Sequence, residues 1–589
     1  MLRPRLATAR GTVRPMVATR AVSTRVVIAL LFGISTLVAC VATAAPRADL
    51  YFFNGRILAG VDDAGGKQSA RWIEALLVHD GRIAAAGKRA DVEAEIARLQ
   101  LKPRRVDLAG RFAMPGLCDA HGHFASLGFS LDRLQLRGAT SPEQVAQIVA
   151  EAAKTRAKGE WIQGRGWDQN LWAVKKFPTA ELLDRAAPDN PVWLRRVDGH
   201  AAWANSKALA LAGVTRGTPD PDGGRIERDA DGRPTGVLVD NATRLVERAV
   251  PTPSREQLRA ALLRAGENCA QFGLTAVHEP GIDSVTVEAF RELANSGELP
   301  TRVFAMLSAA TAMRPGMLPA KKITAGEGLF RVFAVKAYAD GALGSRGAAL
   351  LADYSDDPGN RGLLVTPPDS LEIYARACLA HGYPLCTHAI GDRGNRVALD
   401  AYERAAGGAA GLQGKRFRIE HAQVLSPQDL PRFARDGIIA SMQPTHCTSD
   451  MPWAPDRLGA ERVKGAYAWR QLLNSGARLA LGSDFPVESP DPRLGIYAAI
   501  TTQKPDGTPP AGFRPGEKLT ILEALRGFTS DAAYAAWAEH EVGRLEKGMR
   551  ADVTVFDRDL TSVAPAEILK ARCEMTVVDG RVEYEAAGR

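Results

Sequence analysis

Along residues 47–110, apolar and polar positions alternate in short runs broken by Asn-Gly, Gly-Gly and Asp-Gly turns, as in ADLYFFNGRILAG and EALLVHDGRIAAAG. A period of two puts one face of a strand on a core, and such turns close hairpins. Residues 543–585 repeat the pattern in VGRLEKGMRADVTVFD and CEMTVVDGRVEYE. Two β-rich segments at opposite ends of a chain predict one small sandwich, built from 45–113 and 540–589, that brings those ends together.

Between them, over 114–539, the period changes. Short apolar runs alternate with helical stretches such as Glu143–Ala157, Arg255–Gln271, Ser370–His381 and Pro427–Asp436. The strand candidates are Phe112–His121, Val192–Val197, Leu274–Glu279, Phe330–Ala339, Leu385–Ala389, Phe417–His421, Ile438–Gln443 and Leu479–Asp484. Eight strands with intervening helices predict an α/β protein with a (β/α)8 TIM-like barrel. Residues 160–250, rich in Gly, Pro and Trp (GRGWDQNLW, TPDPDGGRIERDADGRPTG), read as an inserted subdomain with hairpins.

The N-terminus has a different character. Val26–Ala39 is a 14-residue apolar run behind a leader with six arginines and no acid. It is short for a membrane span and fits the apolar region of a signal peptide over 1–44. Ala42-Thr43-Ala44 is a cleavage signal that places the mature start near Ala45. Leu37-Val38-Ala39-Cys40 resembles a bacterial lipobox, which would attach a lipid and a membrane to Cys40. An uncleaved anchor is the alternative, and Met16 is a second candidate start. The expected location is therefore periplasmic or extracellular.

This leader also accounts for most of the net charge of +8. Without its arginines, 69 basic residues face 67 acidic ones, which removes the main support for nucleic-acid binding. With 589 residues, 46% of them hydrophobic and 24% charged, the chain is neither disordered, collagenous nor a multi-span membrane protein. The seven cysteines form no C-x-x-C pair. They read as small buried apolar residues rather than a disulfide framework.

The candidate chemistry lies in histidines. Seven of ten (His121, His123, His200, His278, His388, His421 and His446) fall at or just beyond a predicted strand end, where barrels of this kind place their active sites. His121 and His123, two apart, point the same way from a strand. Gly122 between them permits close backbone approach.

MPGLCDAHGH, the split sandwich and this histidine set resemble the amidohydrolase superfamily. GRGWDQNLW, VDGHAAWANSKAL, VKAYADGALGSRGAAL, THAIGDRGN, RIEHAQ, SMQPTHCTSD and GSDFPVESPDP resemble its amidohydrolase-3 (YtcJ-like) branch, from about residue 47 to residue 585. The resemblance implies that His121 and His123 hold one metal and His388 and His421 a second. It implies that Lys336, on the fourth strand, is carbamylated and bridges them. Asp484 would bind the first metal and exchange a proton with the bridging water. His446 and His200 would face the substrate and polarise its carbonyl. Imidazole and carboxylate suit Zn²⁺, two per chain, and a lysine in an apolar strand loses its proton readily enough to take up CO₂.

Other readings of these residues remain open at this level. Lys336 can be a buried lysine paired with Asp340, and Asp484 a loop cap. Glu420 can pair with His421 or orient it. His278 can be structural, and Trp167, Asp168 and Trp172 can form a lid or specificity patch. The expected function is that of an exported hydrolase, acting through a metal-bound hydroxide on a small-molecule substrate. The bond would be a non-peptide C–N bond in an N-acyl or N-formyl amine, carbamate or cyclic amide. A mononuclear deaminase or other hydrolase on the same barrel, and a catalytically decayed binding protein, are the alternatives. Oligomeric state is open, a homodimer included.

Overall fold

The structure is a computed structural model that describes residues 46–587, apart from Ala320. The expected signal segment, its cleavage signal and Cys40 lie outside the described residues. No helix among the described residues is long and apolar enough to cross a membrane.

Eight parallel strands form the central barrel: Leu117–Asp119, Leu274–Ile282, Arg302–Ser308, Phe330–Tyr338, Leu385–Ala389, Arg418–His421, Ile439–Met442 and Arg478–Leu481. Beyond the last strand the ring closes through Ala120 N, which donates to Leu481 O at 3.0 Å. Helices pack outside it. Arg255–Gln271 begins on a capping box between Ser254 and Gln257, which satisfies amide groups that the first helical turn leaves free. Pro368–His381 and Leu430–Asp436 each end on a left-handed glycine, Gly382 and Gly437. Inside the barrel, Cys118, Ala276, Phe304, Met306, Phe333, Cys386 and Ile439 contribute to one buried apolar cluster. That packing closes the barrel floor and leaves its polar groups at the C-terminal rim.

The count of eight holds, but two memberships change. Val192–Arg196 is not a barrel strand. It belongs to a six-stranded sheet whose edge strands are Leu134–Gln135 and Gly224–Arg228. Val192–Arg196 pairs in parallel with Ile162–Trp167, with the helix Ala180–Ala186 between them in sequence. It thus carries the β–α–β signature of a barrel unit inside the insertion, which begins near residue 134 rather than 160. The third barrel strand is Arg302–Ser308, a short apolar run whose periodicity alone does not distinguish strand from helix. The run 112–121 is also divided. Phe112–Pro115 pairs antiparallel with Val553–Phe556, while Leu117–Asp119 pairs with the second barrel strand. At the break, a Cβ on Gly116 would meet Thr275 Oγ1 at 2.1 Å, so only glycine fits.

The remaining sheet has eight strands drawn from 50–115 and 553–585. It curls around its own core of Leu50, Phe52, Leu76, Val78, Val553 and Val577, among others. Its ends meet where Ile83 N donates to Met549 O and Ala48 N to Gly580 O, both at 2.9 Å. A buried Arg302–Asp552 pair, with bonds of 2.9 and 3.0 Å, fastens it to the third barrel strand.

Candidate metal centre

His121 and His123 follow the first barrel strand, and Asp484 follows the eighth. They meet because Gly122 lies against Phe485: a Cβ on Gly122 would fall 2.5 Å from that ring. Asp484 N donates to His121 O at 2.6 Å and His123 N to Phe485 O at 2.7 Å. His421 and Asp484 hold left-handed backbone, with φ of 74° and 60°. Such conformations cost about 1–3 kcal/mol each and persist where surrounding packing enforces them.

The resulting cluster is tight. Asp484 Oδ1 lies 3.3 Å from His123 Nε2 and 3.7 Å from His121 Nε2, and Asp484 Oδ2 lies 3.7 Å from His446 Nε2. Ring centroids of His421 stand 4.9 Å from His121, 4.6 Å from His388 and 5.8 Å from His446. Lys336 Nζ is buried 3.2 Å from His121 Nε2. The Lys336–Asp340 pairing is not formed: Asp340 instead accepts from the amides of Ala349, Ile390 and Gly391.

Hydrogen bonds on the outer side set the tautomers. His121 Nδ1 contacts Glu420 Oε2 at 2.5 Å and His421 Nδ1 contacts Gln443 Oε1 at 2.7 Å. Each acceptor requires the proton on Nδ1, so each Nε2 keeps its lone pair. His388 is reversed, with Nε2 3.3 Å from Gly341 O, which leaves the lone pair on Nδ1. Glu420 therefore orients His121 and not His421. Arg418 neutralises Glu420 at 2.8 Å and is itself fixed by Ala120 O and Ser441.

Burial keeps these groups in coordinating or reactive forms. It lowers His121 to a pKa of about 4, with Lys336 adding to the shift, and pushes His388 and His421 well below the ordinary imidazole value. Burial also brings the Lys336 amine down to about 8, although Glu420 and Asp484 oppose it. At Asp484 burial works the other way, but the contact with His123 and the charge of His121 outweigh it and hold the carboxyl low.

Two triads, His121–His123–Asp484 and His421–His446–Asp484, have donor atoms within 4.8 Å of one another. Asp484 Oδ1 and His446 Nε2 are buried with no hydrogen-bond partner of good geometry. Unpartnered buried atoms of this kind, beside the outer-anchored imidazoles of His121 and His421, fit divalent cations. His446 thus reaches a ligand group as well as the substrate side, and His388 lies outside both triads.

Two cavities open on this cluster. One, of about 100 Å³, includes Asp168, Arg196, His200, His446, Asp450 and Asp484 in its lining. The other, of about 510 Å³, includes His123, Arg165, His200, Lys336, Tyr338 and Asp484. His200 stands on the far side of His388, 4.9 Å between ring centroids, and its Nδ1 meets Asp240 at 2.7 Å. His278 does not reach the cluster; it packs on Phe304 and Phe333 and contacts Arg418 at 2.8 Å. Trp167 and Trp172 are buried in the insertion core, their indoles donating to Leu194 O and Ala139 O. They are packing residues; of the three, only Asp168 reaches a wall of the smaller cavity. Sequence reading missed Gln443, Asp240 and Arg165. Gln443, two residues beyond Ser441, which meets Arg418 inside the barrel, carried a legible signal in SMQPTH.

Residues 104–584 match the model of the amidohydrolase family. The chain is 34% identical to "Putative amidohydrolase YtcJ" of Bacillus subtilis over 87% of this chain and 96% of that protein. It is 29% identical to the N-substituted formamide deformylase of Arthrobacter pascens over 87% of this chain and 95% of that protein. Among solved structures, an uncharacterised metal-dependent hydrolase from Pyrococcus horikoshii superposes with a TM-score of 0.71 at 29% identity, covering 88% of this chain and 99% of that one. A barrel whose rim gathers inward-facing imidazoles around one aspartate agrees with that match, and the chain belongs to the amidohydrolase family of hydrolases.

Proposed function

We propose that this protein is an exported dinuclear zinc amidohydrolase that cleaves a non-peptide C–N bond, with N-formyl and N-acyl amines as the first substrates to test. The observation that carries the reading is the lysine amine beside His121, buried and depressed, at the centre of anchored imidazoles. His121, His123 and Asp484 would hold one metal and His388 and His421 the other, with a carbamate on Lys336 between them. When bound, the metals would make water nucleophilic near neutral pH and polarise the substrate carbonyl. Asp484 would take a proton from the attacking water and return it to the leaving nitrogen. Asp240 outweighs the effect of burial and raises His200 above the ordinary imidazole value, so Nε2 can carry a proton toward the carbonyl oxygen. His446 would serve from the opposite wall. The formamide deformylase relative is what favours formamides within the class. A cleaved signal peptide, or a lipid on Cys40, completes the reading, and N-terminal analysis of protein from its own host distinguishes the two.

The test is metal analysis joined to a screen of N-formyl and N-acyl amines. Two zinc ions per chain and turnover of a member are expected. Lys336→Ala should lose metal and activity together, and short carboxylic acids should restore part of both, since they mimic a carbamate. One metal per chain with full activity, or Lys336→Ala with unchanged metal content, would sink the dinuclear assignment.

A further inference from the structure

The smaller cavity does not end at the metal cluster. Arg137, Leu171, Ser449 and Glu488 line it and also line a groove on the outer surface, so the two spaces are continuous. The larger cavity shares no lining residue with that groove. Arg137 comes from the insertion and Glu488 from the loop after the eighth strand. Their ion pair, at 3.4 Å, marks the passage between inside and outside.

The two spaces differ in size and character. The inner one, of about 100 Å³, holds a reacting amide and little more, whereas small-molecule sites ordinarily span about 300–1,000 Å³. The groove, of about 860 Å³, has room for the rest of a substrate. Leu127, Leu131, Leu171, Phe272, Pro486 and Leu494 are among its lining. Leu131 and Leu171 are 45% and 54% exposed. Large aliphatic side chains left open to water in one groove gain from an apolar group that covers them.

The inner wall indicates which half of an amide points outward. Five carboxylates stand in it against two arginines. Asp168 and Asp198 share Arg196, and Glu488 has Arg137. Asp450 pairs with no cation among the described residues; it accepts from the Tyr467 hydroxyl at 2.9 Å and from Gln423 Nε2 at 2.8 Å. Such a wall favours an amine, which departs as an ammonium ion, and repels a carboxylate.

Resting on the reading of this site as an amide hydrolase, we propose that the groove binds the substituent on the amide nitrogen. The substrates are then small-acyl amides of amines that bear an extended alkyl chain, and the chain leaves the metal cluster past the Arg137–Glu488 pair.

The experiment compares two isomeric pairs on the metal-loaded full chain: N-butylformamide and N-octylformamide, and N-methylbutanamide and N-methyloctanamide. In the first pair each added methylene should raise kcat/KM by about two- to fourfold. In the second pair, whose chain lies on the acyl side, the ratio should stay close to one. The double variant Leu131→Gln with Leu171→Gln should bring the octyl-to-butyl ratio to within about threefold, through KM. Ile373→Gln, an exposed apolar residue outside the groove, should keep the parent ratio, which separates loss of the groove from a general effect of surface polarity. No gain with chain length, a gain confined to the acyl side, or an unchanged ratio in the double variant overturns the proposal. So does a double variant that keeps the ratio but changes oligomeric state by light scattering, since the groove would then seat a second copy of the chain. If no amide is hydrolysed, the amide reading of the site fails instead. Octylamine and butylamine then serve as ligands in calorimetry, where an octyl advantage that disappears in the double variant supports the groove assignment and equal affinities overturn it.

Discussion

At the scale of single residues, the least obvious assignment is Glu420. Its carboxylate contacts His121 Nδ1 and takes charge from Arg418, so it fixes which nitrogen of His121 faces the cluster. Replacing it with Gln leaves an acceptor but no charge, and leaves Arg418 buried beside a neutral group. Metal affinity should fall roughly 10–100-fold, measured by chelator competition on folded protein; an unchanged affinity would remove Glu420 from this role. The sequence places Glu420 next to His421 and invites a pairing of the two. Residues two apart on a strand share a face, so Glu420 joins Arg418 inside the barrel, and the left-handed backbone at His421 brings that ring to the same cluster. The strand-end histidines were legible because each sits in its own motif. Their outer partners Gln443 and Asp240 come from elements that only the fold brings close.

At the scale of elements, the barrel strands end in polar residues that also secure the next piece of chain. Glu279, on the second strand, closes the start of the helix Phe124–Ser130 by accepting from Phe124 N. Burial raises its carboxyl to about 8, with the amides of Phe124 and Ala125 only partly opposing it. The folded protein therefore keeps a proton that the unfolded chain releases above the ordinary glutamate value of 4.5. This contribution is complete below that value, declines as pH rises, and is lost once pH passes about 8. Glu279→Gln carries no such proton. Its thermal midpoint relative to the parent should rise between pH 5 and pH 8.5, by the equivalent of about 4 kcal/mol at most. A pH-independent difference would show that the carboxyl is ionised throughout. Elements also show where pattern reading stops. The helix Arg255–Gln271 was legible from its period, whereas Arg302–Ser308 and Val192–Arg196 exchanged roles because a short apolar run does not name its sheet.

At the scale of the whole molecule, the barrel supplies the cluster, the insertion supplies Arg165, Arg196 and His200, and the curled sheet seals the flank near Arg302 and Asp552. Division of labour of this kind was legible from the period changes at both ends of the chain, but the reach of the insertion into the cavity was not. The meeting of Ala48 with Gly580 has a consequence of its own. Strands from the two ends are hydrogen-bonded neighbours, so the order in which the polypeptide runs through the fold is separable from the fold. A short glycine-rich linker from residue 587 to residue 46, with new ends cut at the exposed Asp229–Asp231 turn, should give a circular permutant with metal content and turnover within a few-fold of the parent. A permutant that folds but loses metal would mean that the insertion hairpin must stay continuous to hold the rim in place.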